Sequence, residues 1–585
     1  MASETSFKLP GFSLPLDYLP DGNIMFPSVL ETDSVSRLNT HRELLIMRAI
    51  NAITDKSDWD QKIFNDGILA KWRKEIIESR EDVTAKMLSW IVQEAKWKAK
   101  AFQETGQVVA FDVGVVKSDT AVSEELRQAL LEAVHPLEDI PEDQKDYHPG
   151  SDQQVVDLVH PSLFPVIYGR TRILPDKRIE LDSFESAIGE GQVLPVPPEE
   201  EAGAARDRWG NRNHEHKPYS RKFQWLPCDV QFAGDDECRI VTYVNNLHPR
   251  QHRPLYTVIE KVLAQAIPLW NTSLGFMGDF YQRIHYYQVE FGDNGEPEPE
   301  QMDSDEEDEQ DFWERHQEWE DSRPVKRPEP GDFKPHVLTG DKQVNLRKDF
   351  ADQGLQVIVK LANIELTPEK PRYEGGSWHI EGQLNEHICA TAIYYYDSEN
   401  ITESTLEFRQ RADIDGVEEI SYPQSRHDFL QEVFNFDEDV TSYDEDADIT
   451  QILGGVSTQQ GRLLTFPNIV QHRVDSFGLA DTSKPGHRKI LALFLVDPHI
   501  RIISSANVPP QREDWWKERQ EVVGRLLNEK LPAELRNMVH DGLEATPISM
   551  DEAKKYREEL MEERSIKADE QNKRFETGGF SLCEH

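Results

Sequence analysis

The sequence predicts an α+β protein with a double-stranded β-helix (jelly-roll) core and large helical elaborations at both ends. Three observations predict this class. Apolar residues recur every three or four positions in the first 150 residues, short β-branched and aromatic runs dominate from about 355 to 496, and helical periodicity returns in the tail. A chain of 585 residues is too long for one simple core, so insertions or several compact units are expected.

The N-terminal part is expected to be mainly helical, since its segments at 42–53, 59–79, 82–102 and 123–134 are amphipathic at helical spacing. A hairpin is predicted over 223–245, followed by a helix at 256–267. The tail from 514 onward is predicted to be helical, with Trp515 and Trp516 as packing anchors.

Six strand candidates follow the acidic region, at 355–366, 389–396, 405–409, 461–466, 472–477 and 489–496. Short strands separated by turns and long loops suit a jelly-roll. The predicted organisation is an N-terminal arm (1–22), a mainly helical domain with some strands packing on the core (23–290), an acidic disordered linker or insertion (291–334), the β-helix core (335–510) and a helical C-terminal segment (511–585).

The net charge of -43 argues against a nucleic-acid backbone or an anionic membrane as the main partner, because both reward Lys and Arg. Residues 293–321 hold 15 acidic side chains against the single Arg315. Such a segment cannot bury enough apolar surface to offset chain entropy and is predicted to be disordered. It offers a docking segment for a basic protein partner.

The four cysteines show no Cys-x-x-Cys spacing, and no uninterrupted run of about 18 apolar residues or secretory leader is apparent. We therefore expect a soluble intracellular protein, cytoplasmic or nuclear.

A His-x-carboxylate triplet, His379-Ile380-Glu381, follows the glycine pair at 375–376. On a strand, residues i and i+2 point the same way, so His379 and Glu381 would face inward together. Two neutral imidazoles and one carboxylate can occupy one face of an octahedral ferrous ion and leave three positions open. The triplet alone is common, and a surface histidine with an acidic neighbour would produce it as well.

The second imidazole is assigned to His472, where a new strand opens after an apolar strand ends at Pro467-Asn468. Five other histidines compete for this role: His387, His427, His487, His499 and His540. Of these, His487 adjoins Arg488, so on a strand the two side chains face opposite sides. Arg488 would enter the next strand, where its planar fork can pair with a carboxylate such as the distal one of 2-oxoglutarate.

This arrangement resembles the Fe(II)- and 2-oxoglutarate-dependent dioxygenases. More closely, the stretch from Pro371 and Tyr373 through Gly-Gly-Ser-Trp-His-Ile-Glu-Gly, and Gly-Arg-Leu-Leu-x-Phe-Pro-Asn followed by His472, are similar to a largely fungal family, domain of unknown function 4246. The resemblance implies that His379, Glu381 and His472 hold iron and that Arg488 binds the distal carboxylate of 2-oxoglutarate. Most Fe(II)- and 2-oxoglutarate-dependent dioxygenases carry Asp in the triplet, whereas this chain carries Glu381.

The resemblance also implies hydroxylation or a related C–H oxidation of an unknown substrate, a metabolite or a protein side chain, with succinate and CO2 as coproducts. Tyr373 and Tyr394 are candidate cosubstrate contacts, with ordinary packing as the alternative. Two other functions stay open at this point: a catalytically silent scaffold whose acidic linker recruits a basic protein, and a cupin-type metalloenzyme that does not use 2-oxoglutarate.

Overall fold

The computed structural model describes residues 7–22, 24–31, 37–79, 82–202, 205–206, 212–213, 217–277, 281–300, 309–338, 342–424, 426–437, 440, 447–518, 547–580 and 582. Its α-helices are α1 (His41–Thr54), α2 (Trp59–Lys62), α3 (Asp66–Glu78), α4 (Ala85–Thr105), α5 (Glu124–Glu138), α6 (Phe184–Ala187), α7 (Arg253–Gly275), α8 (Glu309–Ser322), α9 (Leu346–Asp349), α10 (Phe429–Phe434) and α11 (Met550–Glu576).

The strands of four or more residues are β1 (Val108–Phe111), β2 (Val115–Ser118), β3 (Val155–Val159), β4 (Cys228–Ala233), β5 (Glu237–Ile240), β6 (Leu355–Leu366), β7 (Ile388–Glu399), β8 (Thr405–Arg411), β9 (Thr450–Ser457), β10 (Leu463–Pro467), β11 (Gln471–Val474) and β12 (Gly486–Val496). Two-residue strands add short ladders, among them Arg372–Tyr373 with Phe477–Gly478.

Two antiparallel sheets organise the β-rich part. Among the described residues, the larger has nine strands in the order β5-β4-β6-β12-β7-β10-β2-β1, with β3 also pairing with β6, and the smaller has the order β9-β8-β11. Strands predicted from the N-terminal region therefore join the same sheet as those of the predicted core. The result is a mixed α+β fold with antiparallel sheets.

The two faces of the larger sheet bury different partners, because successive side chains of a strand point to opposite faces. Leu493 and Leu495 of β12 belong to an apolar cluster with Ile259 and Val262 of α7. Their neighbour Phe494 belongs instead to a cluster shared with residues of the smaller sheet. One face thus packs on helices, and the other packs against the smaller sheet, enclosing an interior between the sheets.

The predicted helix at 59–79 is divided into α2 and α3. Asn65 interrupts it, because its side chain accepts hydrogen bonds from the backbone N–H groups of Gly67 and Ile68 and so caps a new helix. Elsewhere the helical predictions match α1, α4, α5 and α7 to within a few residues at most ends. Within the described part of the chain, no helix is both long and apolar enough to cross a bilayer.

The last part of the acidic segment 293–321, for which the sequence predicts disorder, is helical. Residues 309–322 form α8, and Trp319 donates its indole N–H to the Glu296 carbonyl at 3.0 Å. The Arg323 guanidinium lies 5.0 Å from the Trp319 ring centre. Aromatic packing therefore offsets part of the acidic repulsion, while residues 301–308 lie outside the described residues.

A buried ionic cluster ties the helical region to the larger sheet. Arg283, with a side chain only 1% exposed, contacts Glu94 of α4 at 2.6 Å and Asp112 in the turn between β1 and β2. Its positive charge outweighs burial and holds the pKa of both carboxyls below their usual values. Removing one partner of such a cluster leaves uncompensated buried charge.

We expect Arg283→Met to lower the free energy of unfolding by about 3–5 kcal/mol, because both carboxylates would lose their counter-charge. The control is Lys74→Met, which removes an exposed ion pair with Glu78 on α3 and should cost less than about 1 kcal/mol. Urea unfolding followed by tryptophan fluorescence measures both. Equal unfolding midpoints for the two variants would contradict the expectation.

Candidate functional site

The segment that carries the His-x-Glu triplet runs along the edge of the smaller sheet. His379 and His472 exchange backbone hydrogen bonds in both directions, at 3.2 and 3.1 Å, and Gly376 N–H donates to the Val474 carbonyl at 2.9 Å. Gly375 has φ +95°, and a Cβ there would lie 2.8 Å from the Val474 carbonyl oxygen. Glycine is therefore needed for the segment to approach β11, which brings His379 beside His472.

His379, Glu381 and His472 converge in one group whose potential metal-ligating atoms all lie within 4.8 Å of one another. One carboxylate oxygen of Glu381 lies 3.4 Å from His472 Nε2 and 3.7 Å from His379 Nε2. The His472 side chain is 3% exposed and that of His379 is 39% exposed. The group therefore has a closed side and a side open to solvent.

The protonation states of two members suit metal binding. Burial raises the pKa of Glu381, but the two histidines outweigh it and hold this pKa well below the usual range. Burial, together with the charge of His379, lowers the pKa of His472 to about 4. Glu381 is thus anionic and His472 neutral at pH 7, as ligands must be. The pKa of His379 is raised, since contacts with Glu381 and the Ser377 carbonyl outweigh burial.

The imidazole of His379 is oriented for ligation. Its Nδ1 lies 2.8 Å from the Ser377 carbonyl oxygen, so Nδ1 carries the proton of the neutral ring and donates it there. This leaves the lone pair on Nε2, the atom that faces Glu381. A backbone carbonyl that fixes the tautomer in this way is a common feature of metal-binding histidines.

Asn468 holds the backbone of Glu381 in place. Its side-chain oxygen accepts from the Glu381 N–H at 3.0 Å, and its amide donates to the carbonyl oxygens of Glu381 at 2.9 Å and Ile388 at 3.1 Å. Asn468 is 1% exposed and follows β10 directly. The link joins the triplet to the larger sheet.

Arg488 lies in the interior at the start of β12, with 2% of its surface exposed. Its guanidinium donates to Ser404 Oγ at 2.5 Å and Thr458 Oγ1 at 3.3 Å, and its Nε has no hydrogen-bond partner in the described part of the chain. No carboxylate of the described residues lies within 4.0 Å of it. Burial lowers its pKa, with Tyr395 and Tyr373 as weak opposing influences.

The two predicted tyrosines are placed differently. Tyr373 is near enough to Arg488 for the arginine's charge to oppose the effect of burial on the Tyr373 pKa. Tyr394 instead belongs to the cluster on the helical face of the larger sheet, so the structure does not bring it to Arg488. Alternation along β7 puts its neighbour Tyr395 there, with the guanidinium 5.6 Å from the Tyr395 ring centre.

Sequence reasoning missed Lys360, which lies in β6 on the same face as Ile358, toward the interior. Its positive charge is one of the influences that lower the pKa of His379 and of His472, although for His379 the contacts with Glu381 and the Ser377 carbonyl outweigh it. The signal was present in the sequence, because Lys360 is the only lysine or arginine in the otherwise largely apolar run Leu355–Leu366.

The competing histidines occupy other environments. His487 contacts Asp397 at 2.8 Å and His499 contacts Asp497 at 2.7 Å. His387 ends a short turn of helix with φ +44°, and burial lowers its pKa to about 4. His427 packs edge-on against the Tyr422 ring. His540 lies outside the described residues.

The fold and the site define a mixed α+β protein with a candidate 2-His-1-carboxylate metal group. Residues 85–519 match the model of a family described as "Protein of unknown function (DUF4246)", and residues 9–75 match its N-terminal domain. The chain therefore belongs to the DUF4246 family. No curated protein matches the sequence.

Two solved structures are weakly similar. A bsmA homolog from Methylobium petroleophilum PM1 matches with a TM-score of 0.14 and 14% identity over 26% of this chain and 46% of its own. IDO from Bacillus thuringiensis matches with a TM-score of 0.16 and 12% identity over 30% of this chain and 68% of its own. The match therefore spans less than half of the first structure.

We expect Asn468→Ala to weaken divalent-metal binding about 10- to 100-fold, because the Glu381 backbone would lose the amide that orients it. The matched control is Asn385→Ala, whose amide bridges the N–H and carbonyl of Ser220 in the same manner. Titration with Mn²⁺ followed by electron paramagnetic resonance measures the affinity. A loss of equal size in both variants would mean that general destabilisation explains the result.

Proposed function

We propose that this protein is an Fe(II)- and 2-oxoglutarate-dependent oxygenase that hydroxylates or otherwise oxidises a C–H bond of an unidentified substrate. Succinate and CO2 would be the coproducts. The observation that carries the proposal is the convergence of His379, Glu381 and His472 at the interior that also contains Arg488, a buried cation without a carboxylate partner in the described residues.

The strand order supports a double-stranded β-helix. Between β6 and β12 the chain alternates between the two sheets. Strands β6, β7, β10 and β12 belong to the larger sheet, whereas the His379 segment, β8, β9 and β11 belong to the smaller one or pair with its edge. Eight such segments, divided between two antiparallel sheets in this order, are characteristic of the jelly-roll group. The metal group would lie at one end of the space between the sheets.

The donor set fits iron. Two imidazoles and a carboxylate at one face of an ion are the ligands of non-haem Fe(II) oxygenases. His472 Nε2 faces Glu381, so this is the nitrogen that would bind the ion. The ring is neutral at pH 7, as a ligand must be, because burial and the charge of His379 lower the pKa of His472 to about 4.

The surroundings of Arg488 fit one carboxylate of 2-oxoglutarate. A buried guanidinium is stabilised by an anion that accepts two parallel hydrogen bonds. Ser404 and Thr458 take only part of its donor capacity. The Phe477 ring, centred 4.8 Å from the guanidinium, excludes water from one face.

Within this mechanism, His379, Glu381 and His472 would hold the metal, and Arg488 would fix the far end of the cosubstrate. When bound, Fe(II) would supply the activation of dioxygen that is coupled to oxidative decarboxylation of 2-oxoglutarate. The residues of the chain orient the cosubstrate and shield it from water, since Tyr395, Phe477 and the apolar interior surround the guanidinium.

We expect His472→Ala to abolish Fe(II) binding, and Arg488→Met to keep Fe(II) but to weaken 2-oxoglutarate binding about 10- to 100-fold, the loss of a charged hydrogen-bonded pair. The matched control is His487→Ala, which removes the outward-facing neighbour of Arg488. Anaerobic calorimetry with the Mn²⁺-loaded protein measures cosubstrate affinity, and succinate release in air measures turnover.

Two results would contradict the proposal in different ways. Wild-type protein that binds neither Fe(II) nor 2-oxoglutarate would favour a silent scaffold. Protein that binds Fe(II) but whose activity is unaffected by Arg488→Met would favour a metalloenzyme that does not use 2-oxoglutarate. Recruitment of a basic protein by the acidic segment 293–321 stays a prediction.

A further inference from the structure

Lys360 is a cation on the interior face of β6 that makes no ion pair within the described part of the chain. It lies in the middle of β6, its side chain is partly buried, and it has neither a hydrogen bond nor an ion pair with any described residue. A partly buried ammonium group is costly unless an anion compensates it. Lys360 shares the interior face of β6 with Ile358, and its charge contributes to the pKa of His379 and of His472. The ammonium group is therefore within electrostatic range of the candidate metal group.

A second group of ionisable residues lies on and beside β3, the strand that pairs with β6. Asp157 of β3 pairs in register with Ala362 of β6, and His160 follows β3 directly. The charge of Lys360 also lowers the pKa of Asp157 and of His160. Lys360 is thus within electrostatic reach of both groups.

His148, Asp157 and His160 have the donor types of a metal site, with ligating atoms within 4.8 Å of one another. The hydrogen bonding argues against a metal. Ser162 N–H donates to His160 Nδ1 at 3.2 Å, so the lone pair of Nδ1 is engaged and Nε2 carries the proton of the neutral ring. Burial lowers the pKa of His160 well below its usual value, which keeps the ring neutral. His160 is therefore a hydrogen-bond donor through Nε2.

The carboxylates near Lys360 already have other partners in contact. Arg557 donates two hydrogen bonds to Asp146, at 2.7 and 3.1 Å, and lies 3.7 Å from Asp157. Lys554 lies 3.4 Å from Asp146, and His148 contacts Asp157 at 2.8 Å. The ammonium of Lys360 is left without an ion pair among the described residues, and an anionic ligand would supply one.

We propose that Lys360 and the Nε2–H of His160 form a subsite that binds a carboxylate group of the substrate. This inference rests on the proposed function, since it assigns the substrate of that site to the class of carboxylic acids. The carboxylate of the substrate is distinct from that of 2-oxoglutarate, which Arg488 receives at the start of β12. Strands β6 and β12 are neighbours, and Arg488 of β12 lies opposite Ile364 of β6. Lys360 lies four residues before Ile364 on β6, so the two cations are separated by about four residues along the strand direction.

The test uses full-length protein loaded with Mn²⁺ and 2-oxoglutarate without oxygen, and a panel of monocarboxylates and α-amino acids, each with its primary amide as the neutral counterpart. We expect at least one carboxylate to bind and its amide to bind at least 10-fold more weakly. Lys360→Met should weaken the carboxylate at least 10-fold while changing 2-oxoglutarate affinity less than 2-fold. Arg488→Met should show the opposite pattern.

Two variants refine the test. His160→Asn keeps an acceptor for Ser162 N–H but deletes the Nε2–H donor, and we expect it to weaken the carboxylate about 5-fold, the loss of one hydrogen bond. Lys370→Met removes an exposed lysine that pairs with Asp152 and should change neither affinity. Thermal unfolding of Lys360→Met should begin at the wild-type temperature or above it, because the lysine has no partner to lose.

Three outcomes would overturn the subsite. They are no binding by any carboxylate of the panel, equal binding of acids and amides, and a loss of 2-oxoglutarate affinity in Lys360→Met as large as in Arg488→Met. Failure of the proposed function is separate, because it would appear as absent 2-oxoglutarate binding in the wild type. If the wild type does not bind 2-oxoglutarate, the carboxylate affinities of the wild type and of Lys360→Met, both loaded with Mn²⁺ alone, would still show whether Lys360 binds a carboxylate.

Discussion

The backbone pairing of His379 with His472 is the interaction on which the candidate site depends. Two hydrogen bonds at 3.2 and 3.1 Å attach the triplet segment to β11, and so align residues more than ninety positions apart. The close approach requires the small, left-handed Gly375. Asn468 then fixes Glu381 from the other sheet. The geometry of the candidate metal group is thus a product of backbone register, and side-chain contacts refine it.

Charge pairing distinguishes the buried cations that have carboxylate partners from the two cations of the proposed site. Arg283 lies between two carboxylates, and Arg462, fully buried, contacts Asp55 and Asp119. Arg488 and Lys360 point into the interior between the sheets without a carboxylate in contact among the described residues. Buried cations without partners are costly to stability, and clusters of such residues are typical of ligand-binding sites.

Trp378 packs against two arginines beside the candidate site. Its ring centre lies 4.8 Å from the Arg409 guanidinium and 4.5 Å from that of Arg473, and its carbonyl accepts a hydrogen bond from Asn572 of α11. Helix α11 therefore packs on the outer side of the segment that carries His379 and Glu381. The helical tail that the sequence predicted thus supports the segment of the candidate site through the contact of Asn572 with Trp378.

The sequence by itself determined the local features: each of the six predicted strands overlaps a strand of the structure, and alternation alone separated His487 from Arg488. These follow from periodicity, which is a property of neighbouring residues. Only the tertiary structure decided that Tyr395 rather than Tyr394 faces Arg488, that β1 to β5 join the larger sheet, and that Lys360 makes no ion pair with another described residue. The physical reason is that strand register and the balance of buried charge are set by residues far apart in the chain, whose distances no local pattern encodes.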